Sequence, residues 1–366
     1  MKTEFCDSCG ATFSLEQLTS FDEQLLCPEC LRNATVICTH CGDRLWREEN
    51  AGDSTTPLCQ RCYDDYYLSC AGCGRVIHEN DACYQGDDDD SPYCHSCYTK
   101  YQHAEIHDYY FKPEPIFYGT GPRYFGVELE IDDGGEDSEN ASKLLTLANN
   151  KGEHIYCKHD GSLNDGFEIV THPMSLDYLL KEVPWGQIVQ KAASLGYTSH
   201  QARTCGLHIH VSRDAFGDTE AAQDACIARI LYFFEKHWDE LLAFSRRTQR
   251  QLDRWAARYG YKEQPRDILE HAKKGSHAGR YACINLTNTD TIEFRMFRGT
   301  LKLNTLIATL QLVDRICDVA LCMSDDAIKA LSWTTFVAGC ETPELVQYLK
   351  ERRLYINDAI QSEEEI

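Results

Sequence analysis

Four short stretches of the chain alternate apolar and polar residues with a period of two. In YFGVELEID, Val127, Leu129 and Ile131 fall on one side, and Glu128 and Glu130 on the other. In GFEIVTHP, Phe167, Ile169 and Thr171 oppose Glu168, Val170 and His172. In CGLHIHVS, Leu207, Ile209 and Val211 oppose His208 and His210. In TIEFRMFRG, Ile292, Phe294 and Met296 oppose Glu293 and Arg295. A period of two is strand geometry, so each stretch predicts a strand with one apolar side. Those apolar sides need a cover. Residues 219–245 and 304–323 repeat apolar positions at i, i+3, i+4 and i+7, which predicts two amphipathic helices that supply it. The expected domain is α+β: an antiparallel sheet, helices on its apolar side and a charged trough on the other.

The polar sides change the picture. Solvent-facing strands carry mixtures of Thr, Ser, Lys, Arg and Glu. Here the trough reads Glu128, Glu130, Glu168, His208, His210, Glu293 and Arg295. Carboxylates at i and i+2 repel one another and destabilise a strand unless a cation lies between them. Hard divalent cations take such oxygen ligands, and Mg²⁺ keeps waters and substrate phosphates as its remaining ligands. Arg295 and, just past the strand, Arg298 are guanidiniums suited to phosphate or carboxylate.

Ten Lys or Arg lie between residues 246 and 280 of an otherwise acidic chain. Arg246, Arg247, Lys273, Lys274 and Arg280 are therefore candidates for binding ATP phosphates, with Lys273-Lys274-Gly275 as a loop over them. A solvated basic helix face is the alternative. The segment is not a P-loop, because G-x4-G-K-[ST] is absent.

Residues 1–100 follow a different logic, that of a repeat. Cys6, Cys9, Cys27 and Cys30 form C-x2-C-x17-C-x2-C. Cys38, Cys41, Cys59 and Cys62 repeat it 32 residues later, and Cys70, Cys73, Cys94 and Cys97 repeat it after another 32, with a gap of twenty. Paired spacing favours zinc over disulfides. Two knuckles close one tetrahedron. The seven-residue gaps between modules would also permit cross-pairing, which strands the outermost pairs; pairing in sequence order is preferred, and it predicts three structural Zn²⁺ with no open position. Modules this small cannot build a core, and the metal supplies their folding energy. Cys83, His40, His78 and His95 are spare candidate ligands, read as surface or packing residues. The array resembles zinc-ribbon and LIM-like modules, which bind proteins.

The expected layout is zinc ribbons at 1–34, 35–66 and 67–103, a linker at 104–122 containing Pro113, Pro115, Gly119, Gly121 and Pro122, and a catalytic domain at 123–366. The acidic run at 87–90 reads as a solvated hairpin tip.

Charge narrows the partners. The formal net charge of −22 argues against nucleic acid, which needs a basic footprint. Residues 1–103 carry 7 Lys and Arg against 18 Asp and Glu, so a protein or peptide partner is expected for the array, with a purely structural role as the alternative. No apolar run approaches a membrane span, and MKTEFCDSCG lacks the apolar core of a signal peptide, so a soluble, cytoplasmic chain with no membrane partner is expected.

FGVELE (125–130), HDGSL…GFEIVTHP (159–173), CGLHIHVS (205–212), RYACINL (280–286) and TIEFRMFRGTL (291–301) together resemble the amidoligases, which belong to the glutamine synthetase and γ-glutamylcysteine ligase superfamily of carboxylate–amine ligases. The resemblance implies a glutamine synthetase-like half-barrel, ATP, and Mg²⁺ or Mn²⁺. It implies phosphorylation of a carboxylate and attack of an amine, from an amino acid or another amine, on the acyl phosphate. Carried over, Glu128, Glu130 and Glu168 are metal ligands, and one of His208 and His210 contacts metal or phosphate. Glu293 meets metal, Arg295 meets phosphate, and Arg298 holds substrate or the transferring phosphoryl group. Asp160 and Ser162 shape the turn and touch substrate. Cys205 reads as a packing residue, as do Cys157, Cys226, Cys283, Cys317, Cys322 and Cys340. The expected activity is an ATP-dependent carbon–nitrogen ligase whose zinc ribbons recruit a protein or peptide. The competing readings are a metal-dependent hydrolase and a zinc-ribbon adaptor with a degenerate ligase domain.

Overall fold

A computed structural model describes residues 2–84, 91–102, 104–274 and 279–355. The acidic run at 87–90 and Gly275 lie outside the described residues. The chain divides into two compact units, Met1–His103 and Ala104–Ile366.

The first unit repeats one small motif. Each module begins with an antiparallel hairpin of two three-residue strands: Thr3–Phe5 with Thr12–Ser14, Thr35–Ile37 with Arg44–Trp46, and Tyr67–Ser69 with Val76–His78. The first C-x2-C occupies the hairpin turn. It is followed by Gly10, Gly42 or Gly74, with φ of +71°, +80° and +71°, a left-handed backbone that glycine adopts without steric cost. The second C-x2-C opens a short helix, Pro28–Ala34, Gln60–Tyr66 or His95–Gln102. The apolar clusters are tiny and centre on the cysteines, with Leu26 and Leu58 fully buried beside them. Side chains tie one module to the next. The Trp46 ring meets Phe21 edge-on at 5.0 Å, and its indole N–H donates to Asp22 at 2.8 Å. The Asp53 carboxylate accepts the main-chain N–H of Val76 at 3.0 Å.

The second unit is built on seven antiparallel strands: β1 (Tyr124–Ile131), β2 (Ile155–Lys158), β3 (Phe167–Thr171), β4 (Met174–Ser175), β5 (Gly206–Ser212), β6 (Ile284–Asn285) and β7 (Thr291–Arg298). Their order is β2-β3-β1-β5-β7-β6, and β4 pairs with the start of β1. The alternation read from the sequence is realised: Val127, Leu129, Phe167, Ile169, Leu207, Ile209, Ile292 and Phe294 are all fully buried in one core. The helices are α1 (Ser138–Ala148), α2 (Leu176–Lys181), α3 (Trp185–Ser194), α4 (Glu220–Lys236), α5 (Trp238–Ser245), α6 (Gln249–Trp255), α7 (Pro265–Lys273), α8 (Leu303–Cys322), α9 (Asp325–Ala330), α10 (Trp333–Ala338) and α11 (Pro343–Glu351). The apolar stripes of α4 and α8 join that core, with Phe234 of α4 at 5.6 Å from Phe294 of β7.

Three details differ from the sequence reading. The helix expected over 219–245 is two, broken at His237, whose ψ of 32° leaves the helical range. Tertiary contacts hold the break: the His237 ring is buried against Phe233 and Trp333 and reaches the Leu331 carbonyl at 3.2 Å. Second, β7 bulges. Leu207 pairs with Phe297 but Ile209 with Phe294, so two residues, Arg295 and Met296, stand opposite His208 alone. Met296 and Phe297 are both buried as a result. Third, residues 104–122 lack helix and strand, as their prolines and glycines dictate, yet they are fastened to the sheet. The His107 N–H donates to the Cys157 carbonyl at 2.8 Å, the Ile116 N–H to His172 Nδ1 at 3.2 Å, and the Tyr118 N–H to the Pro173 carbonyl at 3.0 Å. The stretch expected as a linker is a strap belonging to the second unit. Among the cysteines expected to pack, Cys157, Cys205, Cys226, Cys283, Cys317 and Cys340 are buried, whereas Cys322 is exposed. No helix among the described residues is long and apolar enough to cross a membrane.

Candidate metal centres and active site

The twelve paired cysteines gather into three groups of four in sequence order, with the four Sγ atoms of each group within 4.8 Å of one another. Cross-knuckle separations include 4.0 Å for Cys9–Cys27, 3.9 Å for Cys41–Cys59 and 3.9 Å for Cys73–Cys94. A tetrahedron with Zn–S bonds of ~2.3 Å has S–S edges of about 3.8 Å, so the donor set and its spacing fit zinc. The main-chain N–H groups of Cys27 and Cys9 draw the Cys6 thiol down to about 6, toward the thiolate that a metal requires. His40, His78, Cys83 and His95 stand outside these groups. His40 instead stacks on Tyr66 at 4.4 Å.

In the second unit the polar face of the sheet collects the charged residues. Glu128 lies on β1, the strand between β3 and β5, with His208 as its cross-strand neighbour. Its two carboxylate oxygens take one imidazole each, His208 Nδ1 at 3.0 Å and His210 Nε2 at 3.0 Å. Burial pushes the Glu128 carboxyl up, but the two histidines outweigh it and hold the group well below the usual carboxylate range. Burial lowers His210, yet Glu128 raises it overall, and its Nδ1 lies 3.1 Å from Thr291 Oγ1. Glu168 pairs across from Glu130 in the β3–β1 register. Burial, reinforced by Glu128, Glu130 and Asp160, pushes the Glu168 carboxyl well above the usual range. Glu130 is raised by burial and Asp160 and accepts the Gly206 N–H.

On β7, Glu293 Oε2 accepts from Asn285 Nδ2 at 2.8 Å, while its Oε1 accepts from Arg295 and lies 3.6 Å from His208 Nδ1. Ligand atoms of Glu128, His210 and Glu293 lie within 4.8 Å of one another, and so do those of Glu128, Glu168 and His208. Glu128 is common to both groups, an arrangement able to bridge two ions. Crowded carboxylates with an imidazole are a hard-ion donor set, and two of the carboxylates on this face are raised by burial first and by neighbouring carboxylates second. The residues therefore fit Mg²⁺ or Mn²⁺.

A cavity of about 710 Å³ opens over this face. Glu130, His208, Asp160, Ser162, Arg247 and Arg295 line it. Arg203, Arg254 and Arg280 add guanidiniums at its wall, and Arg280 is held by the Tyr109 hydroxyl of the strap at 2.8 Å. The Asp160 carboxylate accepts the Ser162 N–H at 2.6 Å and closes the turn. Arg247 is packed over Gly206: a Cβ at that glycine would meet His208 Nε2 at 2.5 Å and Arg247 Nη2 at 2.8 Å. Burial lowers Arg247 to about 10, still charged at neutral pH. The buried Nε atoms of Arg247 and Arg295 lack a hydrogen-bond partner within the protein.

The remaining predicted residues lie elsewhere. Arg298 and Arg246 share a recess with His200 beside this cavity. Lys273 is engaged by Asp224 at 2.6 Å on α4, and Lys274 is exposed at the end of α7. His172 anchors the strap. Sequence reading missed Asn285, Tyr109 and Asp132. Asp132 accepts the N–H groups of Asn164 and Asp165 and the Thr204 hydroxyl, so it fastens the loop before β3 to the segment before β5. Its position directly after the VELEI strand was the available signal.

The family model described as "Putative amidoligase enzyme" matches residues 146–317. That span includes Glu168, His208, His210, Glu293, Arg295 and Arg298, and begins after Glu128 and Glu130. Among solved structures, the chain is similar to a bifunctional glutathione synthetase from Pasteurella multocida, at 14% identity and a TM-score of 0.36. The similarity covers 63% of this chain and 46% of that one, so it spans less than half of that protein. None of the curated proteins compared with the chain matches it.

Proposed function

We propose that the second unit is an ATP- and divalent-metal-dependent carboxylate–amine ligase with a glutamine synthetase-like site. The zinc-binding array of the first unit recruits a protein or peptide substrate. One observation carries the reading: Glu128, Glu130, Glu168 and Glu293 come from three strands and meet His208 and His210 on one face, under a cavity rimmed by guanidiniums. The amidoligase match over 146–317 supports the same class.

Phosphoryl transfer needs charge neutralisation and in-line placement more than covalent help from the protein. Bound Mg²⁺ or Mn²⁺ would neutralise phosphate oxygens and orient the transferring group. Glu128, Glu168 and Glu293 would hold them, together with His208 and His210. Arg295 is pinned by Glu293 and presents its remaining N–H groups to the cavity, where a phosphate oxygen would complete its hydrogen bonding. Arg247 and Arg280 would hold the other phosphates. The substrate carboxylate would take the γ-phosphoryl group as ADP leaves. Attack of an amine on the acyl phosphate would then form the amide or isopeptide bond as its C–O bond breaks and inorganic phosphate departs. Deprotonation of the incoming ammonium would fall to Glu130, which lines the cavity and whose carboxyl is raised by burial.

The test is release of ADP from Mg·ATP by the full chain on addition of amino acids or peptides. Glu128→Gln and Glu293→Gln are expected to lower turnover by at least ~100-fold while leaving the circular dichroism unchanged. Turnover at wild-type rate in either variant contradicts that residue's role. Metal-dependent hydrolysis without ATP selects a hydrolase instead.

A further inference from the structure

The zinc modules repeat every 32 residues, so each position has a counterpart in the module before it. Where the second module meets the third, four rings come together. The His40 ring stacks on Tyr66 at 4.4 Å, with 11° between their planes. The His78 ring is nearly parallel to both, 6.1 Å from His40 and 6.4 Å from Tyr66, at 16° to each. Half-buried Tyr67 stands edge-on to both imidazoles, 5.8 Å from His40 and 5.0 Å from His78. Two imidazoles and a phenol thus form an aromatic slab with Tyr67 set across it.

The zinc fold does not demand these rings. One repeat earlier, Ser8, Ala34 and Thr35 stand where His40, Tyr66 and Tyr67 stand here. Trp46 is the counterpart of His78, and it is taken up by Phe21 and Asp22. The second and third modules are tied in another way as well, through the Asp53 carboxylate and the Val76 N–H. The slab is nonetheless held in place. The Asn80 N–H donates to His78 Nδ1 at 3.2 Å, and the Tyr67 hydroxyl lies 3.5 Å from His40 Nδ1. His40 and Tyr66 are exposed, Tyr66 by 40%. Fixed, exposed rings offer a large contact area at little cost in side-chain entropy.

Charge selects the occupant. Asp64 and Asp65 directly precede Tyr66, and Glu79 and Asp81 follow His78 in the short helical turn Glu79–Asp81. Among the described residues of the first unit, no carboxylate pairs with a Lys or Arg. Arg44 and Arg47 are spent on the Thr35 hydroxyl at 2.7 Å and the Asn33 carbonyl at 2.9 Å. Zinc does not offset the excess, because four thiolates on one Zn²⁺ leave a charge of about −2. A guanidinium suits both features: it is planar, stacks on aromatic faces, and carries a fork of donors for carboxylates. An ammonium lacks the flat face, and an anionic segment would be repelled.

We propose that the slab of His40, Tyr66 and His78 is the docking surface for an arginine-bearing peptide segment, with one guanidinium lying on the rings and reaching the flanking carboxylates. Its biological meaning rests on the reading of the zinc array as the recruiting unit, but the surface can be tested without turnover.

The experiment is fluorescence anisotropy of a labelled peptide of alternating Gly and Arg, titrated with the full zinc-loaded chain, beside peptides with Lys, Gln or Glu in place of Arg. The wild type is expected to bind the Arg peptide, to bind the Lys peptide several-fold more weakly, and not to bind the Gln and Glu peptides. Tyr66→Ala and His40→Ser put in the residues of the preceding module, so both should keep three Zn²⁺. Each is expected to weaken the Arg peptide about fivefold, the loss of one cation–π contact at an exposed site. Tyr66→Phe keeps the ring and should bind as the wild type does. Tyr66 lies outside the C-x2-C knuckles, so Tyr66→Ala decides the matter if His40→Ser disturbs the metal. The proposal is overturned if the Arg peptide does not bind, or if the Lys, Gln or Glu peptide binds as well as it does. It is overturned equally if Tyr66→Ala binds like the wild type, or if Tyr66→Phe loses as much as Tyr66→Ala. The expected binding pattern, with no effect of the peptide on ADP release from Mg·ATP, would count against the recruitment reading and leave the docking surface standing.

Discussion

Glu128 has the most demanding position in the molecule, because both imidazoles of the H-x-H strand converge on its two oxygens. Its neighbours were legible as a set from the period-two alternation, since a strand sends every second side chain to the same face. What lay beyond that pattern is the packing between strands. Gly206 reads as an ordinary glycine before a strand, yet it makes room for both His208 and Arg247. Gly206→Ala should therefore displace two site residues at once. The expected outcome is a stability loss of about 1–3 kcal/mol in denaturant unfolding. ADP release should fall about 100-fold, because a shift of ~1 Å in positioning groups is costly. Near-normal turnover would show that Arg247 and His208 do not need their present placement. Arg298 shows the opposite failure: strict alternation would put it on the apolar side with Met296, and only the bulge opposite His208 returns it to the polar side.

The elements divide by what makes them hold. Strands β1, β3, β5 and β7 were predictable because burial of one face fixes their register, and a slip by one residue would bury Glu128 and Glu130 in the core. The break at His237 was not, because it depends on Trp333 and Leu331, nearly a hundred residues away. The strap at 104–122 was misread because proline and glycine signal irregular backbone equally in a free linker and in a fastened loop. In the zinc modules, by contrast, the ligand spacing alone specifies the element, and the sulfurs assemble in sequence order. Elemental analysis should find three Zn²⁺ per chain, and Cys62→Ser should lower the count to two. Because the middle module carries both Trp46 and Asp53, which contact its neighbours, that variant should also make the first unit more sensitive to protease. Three retained zinc ions in Cys62→Ser would contradict the assignment of that ligand.

For the whole molecule, the acidic charge that argues against nucleic acid is partly concentrated on one face of the sheet. Four carboxylates on one sheet face destabilise the chain unless a divalent ion lies among them, and burial raises two of them further. Sequence reading could propose that convergence, but it could not supply the strand order β3-β1-β5-β7 that brings Glu168, Glu128, His208 and Glu293 side by side. The most direct test is thermal unfolding of the zinc-loaded chain, with other divalent ions removed, in wild type and Glu168→Gln, with and without Mn²⁺. Without Mn²⁺ the variant should melt higher than wild type, because one repelling carboxylate is gone. With Mn²⁺ the wild type should rise by several degrees and the variant by much less, reversing the order. If Mn²⁺ leaves the wild-type melting temperature unchanged, or shifts both proteins equally, the polar face of this sheet is not a metal site.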